Sequence, residues 1–250
     1  VYNHAEMEGL LEGMVNKIGN ASGTINPDWS KAVEGVLNAY MGDAPENFRY
    51  NGKSYTPQSF AKELGINADD YVLISSFTHH PYNTQFVLEV PDNWNWEKVY
   101  NVTLNDFTNI AENAVLNGYT IAWAADVSEK GFNFKEGLAI VPEKDWADMS
   151  PEERKNAFLE PGKEKAITPE LRQQAFDNFE TQDDHGMHIV GLVKDQNGNK
   201  YFRVKNSWGA DNPGQGYFYA SEPYFAYKTT CFMVNKKALP ADVAKKLGIK

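Results

Sequence analysis

An α+β fold is predicted by three features of this 250-residue sequence. The first third carries apolar residues at helical spacing, with Pro near the helix starts and Gly at the ends. From residue 71 the runs become β-branched and aromatic. Helices come first and strands later, without the regular alternation that builds a parallel sheet. No internal repeat or low-complexity linker interrupts this order. The expected division is a helical segment over residues 1–70 and a sheet-rich part with helical insertions over 71–250.

Each element has its own signal. In "AEMEGLLEGMVNKI", Met7, Leu10, Leu11, Met14, Val15 and Ile18 recur at helical spacing. "NPDWSKAVEGVLNAYMG" reads as a helix with Asn26 as N-cap, Pro27 in the first turn and a stop near Gly42. "TPQSFAKELG" repeats that grammar at Thr56, Pro57 and Gly65. "YVLISSF" and "TQFVLEV" read as strands. A helix is expected from Asn105 to Asn117, closed by Gly118, and then a buried strand in "TIAWAADV". Short helices follow in "MSPEERKNAFL", capped by Ser150, and in "TPELRQQAFDNFE", capped by Thr168. "HGMHIVGLV" and "YFRVKNSW" flank "KDQNGN", whose Asn197-Gly198 signals a hairpin. The strands "GYFYAS" and "TTCFMVN" and a short helix in "LPADVAKKLG" complete the chain.

Composition excludes several classes. Charged residues are 23% of the chain and spread along it, which argues against wholesale disorder. The formal net charge of -10 repels phosphate backbones, so nucleic acid is not an expected partner. No apolar run approaches the length of a membrane span. The single cysteine, Cys231, allows neither an intrachain disulfide nor a Cys-rich metal site. The opening "VYNHAEMEGLLEGMV" lacks the pattern of a signal peptide and an initiator Met, so a fragment or a processed product is expected.

Chemistry is concentrated in "HGMHIVGL" and "KNSWG". A histidine can take and give a proton near neutrality, provided a neighbour holds it in one tautomer. Asn206 is the candidate orienter, and Trp208 could shield the pair from water. Two histidines compete for it. Alternation puts His185, Met187 and Ile189 on one face and His188 and Val190 on the other, and both faces are mostly apolar. A two-residue turn at Asn197-Gly198 would set Asn206 across from Ile189, near His188; a longer loop would bring it opposite His185.

The combination "DHGMHIVGL…YFRVKNSWG…GQGYFYAS" resembles the C-terminal half of papain-like cysteine peptidases. "MGDAPENFRY", "TPQSFAKELG", "PYNTQFVLEV", "NGYTIAWAADV" and "SPEERKNAF" resemble the bleomycin hydrolase and aminopeptidase C branch, so the likeness covers nearly the whole chain. It implies a papain-like fold, of which this chain supplies the β-barrel-like antiparallel half plus helical segments. It implies His185 as general base, because the family motif starts at "DHG", Asn206 as its orienter and Trp208 as cover for Asn206. His188 is then a core or sheet-face histidine. It implies hydrolysis of peptide bonds by thiolate acyl transfer, with peptides as substrates, no cofactor or metal, and closed homo-oligomers. A cytoplasmic location follows from the resemblance; a periplasmic or secreted one is the alternative.

The nucleophile is missing from this scheme. The family's cysteine precedes the histidine and opens a helix whose N-terminus lowers its pKa. No cysteine precedes His185, and Cys231 lies downstream on an apolar strand, where a buried core thiol is expected. The expectation is that a Cys-bearing upstream segment or separate chain completes the site. Without it, an exposed apolar cleft wall and self-association are expected. The rival readings are a non-catalytic papain-like binding or scaffold protein, and a cysteine endopeptidase. The second arises because the chain stops at Lys250, short of the branch's usual C-terminal arm.

Other residues carry weaker signals. "HHP" at His79–Pro81 lacks a third metal ligand at suitable spacing. Trp94 and Trp96 are expected to pack within their loop, and Asp126 to cap a turn or form a surface ion pair. Asn20 and Asn101 match the glycosylation acceptor pattern, which occurs often by chance.

Overall fold

The computed structural model describes residues 2–249. The chain forms two compact units, Val1–Asn67 and Ala68–Lys250.

The first unit is held by local chemistry. Helix α1 (His4–Gly19) is capped by Asn3, whose side chain accepts from Glu6 N. Helix α2 (Trp29–Met41) starts later than Asn26, with Asp28 as N-cap. Asn26 instead accepts the Asp28 N–H at 2.9 Å, forming an Asx-turn ahead of the helix. The Tyr40 hydroxyl donates to Glu6 Oε1 at 2.6 Å and ties α2 to α1. Strands β1 (Phe48–Tyr50) and β2 (Lys53–Tyr55) then form a hairpin within a segment expected to be helical. Asn51 and Gly52 both have positive φ, 47° and 81°, as a type I′ turn requires. Helix α3 (Pro57–Glu63) opens on a capping box between Thr56 and Ser59. It sets Phe60 edge-on against Phe48 and Tyr55.

The second unit is built on a ten-stranded sheet. In chain order the strands are β3 (Tyr71–Ser75), β4 (Thr84–Val87), β5 (Lys98–Asn101), β6 (Ile121–Ala125), β7 (Phe132–Asn133), β8 (Leu138–Ala139), β9 (His185–Lys194), β10 (Lys200–Lys205), β11 (Tyr217–Ser221) and β12 (Thr229–Asn235). Their order across the sheet is β4-β5-β3-β12-β6-β9-β10-β11-β8-β7. The expected antiparallel barrel-like half differs from this in two ways. The pairs β3–β5 and β8–β11 are parallel, and the sheet stays open between β4 and β7 among the described residues. A parallel neighbour needs a long return, and the 77 residues between Ala139 and Tyr217 provide one for β8 and β11.

The helices of this unit are α4 (Leu104–Leu116), α5 (Pro151–Asn156), α6 (Pro169–Asp177), α7 (Glu222–Lys228) and α8 (Ala241–Leu247). Helix α4 buries Phe107, Ile110, Ala111 and Ala114 in a core shared with Trp123, Met187, Ile189, Phe202 and Phe232. Phe225 of α7 joins this core, its ring 5.3 Å from Phe107 and 4.6 Å from Phe202. Arg172 of α6 is 1% exposed. Its Nε donates to Ser76 O at 2.6 Å and its Nη1 to Ala226 O at 2.8 Å. The guanidinium lies over the Phe77 and Phe107 rings. Burial lowers its pKa to about 9.

Candidate active site

His185 is the first residue of β9, and the three residues before it are tied down. Gln182 N–H donates to Asp126 Oδ2 at 3.1 Å, Thr230 Oγ1 to Asp183 Oδ1 at 2.6 Å, and Val127 N–H to Asp184 Oδ1 at 3.0 Å. Asp126 also accepts from Ser128 N and Oγ, as turn capping predicts. The expected surface ion pair is corrected: Asp126 is 2% exposed, and its cation, Lys228 at 3.9 Å, is buried too. It ends a central strand under the segment that delivers His185, which is why it is inside.

Asn206 follows directly on β10. Its N–H donates to Gly216 O at 2.9 Å, so the loop between them closes on itself. Asn212 braces this loop. Its Nδ2 donates to Phe134 O and Tyr217 O, and its Oδ1 accepts from Gly216 N. Gly214 is required there, because a Cβ would sit 2.0 Å from Tyr217 O. Sequence reasoning did not single out Asn212; the turn chemistry of "DNPG" was its only signal.

The two predicted side chains meet. His185 Nε2 lies 2.7 Å from Asn206 Oδ1, and Ser207 N–H donates to the same oxygen at 2.8 Å. A backbone N–H can only donate, so the atom facing His185 is the amide oxygen, which can only accept. Nε2 therefore carries the proton, and in the neutral ring Nδ1 keeps its lone pair. Asn206 is 7% exposed, so this bond is sheltered from water. The Trp208 ring lies 4.8 Å from the His185 ring and edge-on to Phe132 and Phe134, with about half of the residue exposed.

Hairpin geometry decides which histidine is met. Asp195 and Asn199 close a three-residue loop with Gly198 at φ 86°, one residue longer than a tight Asn-Gly turn. Pairing runs from Lys200–Lys194 to Arg203–Gly191, then slips at a β-bulge so that Val204 faces Ile189 and Lys205 faces His188. Val190 is the extra residue. On the hairpin side of the bulge, even-numbered Leu192 packs on the core while Val193 is exposed. Beyond it, odd-numbered Met187 and Ile189 are buried, and His185 shares their parity. His188 is exposed on the sheet face, paired with Ala122 and Lys205.

Cys231 lies elsewhere. It pairs with Ala124, which pairs with Gly186, so it belongs to the face opposite His185. It packs against the cluster of Phe77, Phe86, Leu88 and Val99. Burial, reinforced by the charge of Asp183, pushes its thiol up to about 12. A thiol held neutral is a poor nucleophile at neutral pH.

The remaining candidates have structural surroundings. His79 Nδ1 is 3.0 Å from Gln173 Oε1, and its ring stacks on Phe176. Asn101 is buried, donating to Phe77 O and His80 O and accepting from Phe77 N. Trp94 and Trp96 do not pack in their loop; they are 81% and 68% exposed. That loop is held instead by the Asn93 side chain, which bonds Leu88 O, Glu97 O and Glu97 N. No helix among the described residues is long and apolar enough to cross a membrane.

Comparison with known proteins fits this arrangement. The chain is 26% identical over 229 residues to an aminopeptidase C of Lactococcus lactis subsp. cremoris, covering 84% of this chain and 48% of that one. It is 23% identical over 229 residues to an aminopeptidase E of Lactobacillus helveticus, covering 83% and 47%. The chain thus spans about half the length of the curated relatives it matches. In fold it is similar to PepW of Lactobacillus rhamnosis HN001, with a TM-score of 0.65 at 20% identity, covering 98% of this chain and 55% of that one. The architecture is that of the papain-like cysteine peptidases. Residues 37–249, which include His185, Asn206 and Trp208, match the Peptidase C1-like family, and the chain belongs to that family.

Proposed function

We propose that this chain carries the base and its orienter for a cysteine aminopeptidase, and that the nucleophilic thiol is supplied by polypeptide outside these 250 residues. The observation that carries the reading is the His185 Nε2 to Asn206 Oδ1 bond, with Ser207 N–H fixing the amide orientation. It leaves Nδ1 as the group able to take a thiol proton. The resulting imidazolium would stabilise the thiolate as it attacks a scissile carbonyl. His185 would then protonate the leaving amine and activate the water that hydrolyses the thioester. Trp208, against the His185 ring, would limit water at the pair. The sole cysteine of the chain is on the wrong face and held neutral, which supports an external nucleophile. Aminopeptidase action and peptide substrates come from the names of the relatives.

The test uses the native-source polypeptide that contains this sequence, treated with a thiol-directed epoxide and assayed on aminoacyl substrates. Labelling of a cysteine other than Cys231 is expected, together with loss of at least about 100-fold in kcat/KM for His185→Ala and little change for His188→Ala. Thiol-peptidase activity that survives His185→Ala would overturn the reading. Absence of both labelling and activity would make the pair part of a non-catalytic binding protein.

A further inference from the structure

A second site is suggested at the other end of β9. Between α5 with its following loop and the outer face of the sheet lies a cavity of about 870 Å³. That volume is in the range of small-molecule sites. Val193 lines it, eight residues along β9 from His185, or about 26 Å at ~3.3 Å per residue. The cavity is thus separate from the His185–Asn206 pair. Apolar side chains, including Ile140, Phe158, Val193 and Tyr219, share its lining with charged ones, among them Lys163, Lys194, Glu143 and Glu160.

Two polar groups of this lining keep open hydrogen-bonding capacity. Tyr201 is 8% exposed and lines the cavity, and its hydroxyl has no hydrogen-bond partner among the described residues. Glu164 spends one oxygen, Oε2, on Val141 N at 2.7 Å and on Ser221 Oγ at 2.6 Å. Its other oxygen has no donor, and the carboxylate no ion-pair partner, among the described residues. Lys144 in the same wall is already paired with Glu153. Tyr201 and Ser221 are direct neighbours across β10 and β11, which brings the phenol and the carboxylate together on one face. Burial raises the pKa of Glu164, and burial followed by the Glu164 charge raises that of Tyr201 to about 12. A partly buried carboxylate without an ion-pair partner is costly, and a bound cation would offset that cost.

We propose that this cavity binds a small organic cation, a primary ammonium on an aromatic or aliphatic body, with the ammonium on Glu164 and Tyr201. The apolar body would lie against Ile140, Phe158 and Tyr219. The ammonium donates to Glu164 Oε1 and to the Tyr201 oxygen, supplying the contacts that the protein leaves open.

The experiment is calorimetric titration of the full chain at about pH 8, where carboxylates are ionised, with 2-phenylethylamine, 2-phenylethanol and phenylacetate. These three probes share one body and differ in charge. The amine is expected to bind at least about tenfold more tightly than the other two, a difference of about 1.4 kcal/mol. Glu164→Gln keeps an acceptor for Val141 N and Ser221 and should reduce that preference to within about threefold. Val193→Lys, at a partly exposed position, should block the amine by placing a competing ammonium in the cavity. His185→Ala should leave binding unchanged. Equal binding of all three probes, no binding of the amine, a preference that survives Glu164→Gln, or loss of binding in His185→Ala would each overturn the proposal. The last result would assign the amine to the catalytic cleft.

Discussion

In residues 2–67 one side chain, Met7, is buried, whereas in residues 68–249 Trp123, Phe107, Phe202, Phe225 and Phe232 are each 1% exposed or less. The first unit leaves Leu10, Val15, Ile25, Trp29 and Met41 about half exposed. Its elements are specified by neighbours in sequence: the Asn3 cap, the Asn51-Gly52 turn and the Thr56–Ser59 capping box. The second unit draws its elements together across long separations. Ser75 Oγ donates to Thr230 O over 155 residues, and Trp123 Nε1 to Thr229 Oγ1 over 106. The difference teaches that helical pattern and burial are separable. A stripe of apolar residues with good caps forms a helix without being core, and the buried charged groups among the described residues, Asp106, Asp126, Arg172 and Lys228, lie in the second unit.

The largest expected effect lies in that unit. Arg172→Ala should destabilise it by about 3–5 kcal/mol, because a cavity opens beside Phe77 and Phe107 and two carbonyl oxygens lose a donor. Urea unfolding followed by tryptophan fluorescence reports it, and an unchanged midpoint would break the contrast between the units.

Glu129 gives the next effect. Burial raises its pKa to about 7, and its Oε1 has no hydrogen-bond partner among the described residues. The folded state therefore prefers the protonated acid. The stability this gives is fully present below the unfolded value of about 4.5 and is lost as pH rises through about 7, by up to about 3 kcal/mol. The Tm of the parent should fall from about pH 5 to about pH 8. Glu129→Gln, always neutral, should flatten that slope, and an equally steep slope in the variant would assign the effect to another group.

The smallest effect is in the first unit. Thr56→Ala removes one arm of a capping box and should cost α3 about 1 kcal/mol. Far-UV ellipticity should change slightly while the cooperative transition of the second unit stays fixed. A shift of that transition would mean that the helical unit is not specified locally.

Legibility from sequence followed the same divide. Helices α1, α3, α4, α5 and α6 were readable, because their caps and stripes are local. Helix α7 was not, because Tyr224, Phe225, Ala226, Tyr227 and Lys228 are all buried and no polar stripe marks the period. The β1–β2 hairpin was missed although Asn51-Gly52 announces it, since its strands are only three residues long. The parallel partners of β3 and β11 could not be read, because partner choice depends on tertiary packing. At the candidate site, His185, Asn206 and Trp208 were legible as a resemblance, and the structure brings the three together. The role of Asp126 beneath residue 182 was not, since nothing local announces a bond spanning 56 residues.

The bulge at Val190 gives β9 two reading frames. Odd-numbered positions belong to the outer cavity at Val193 and to the core at Ile189 and Met187. A spectroscopic label walked along this strand in steps of two would cross from one compartment to the other without leaving the strand. An alignment that misplaces a single gap near residue 190 would exchange the sheet faces assigned to His185 and His188. Ten continuous residues thus join an end that lines the outer cavity to an end that carries His185 beside the core.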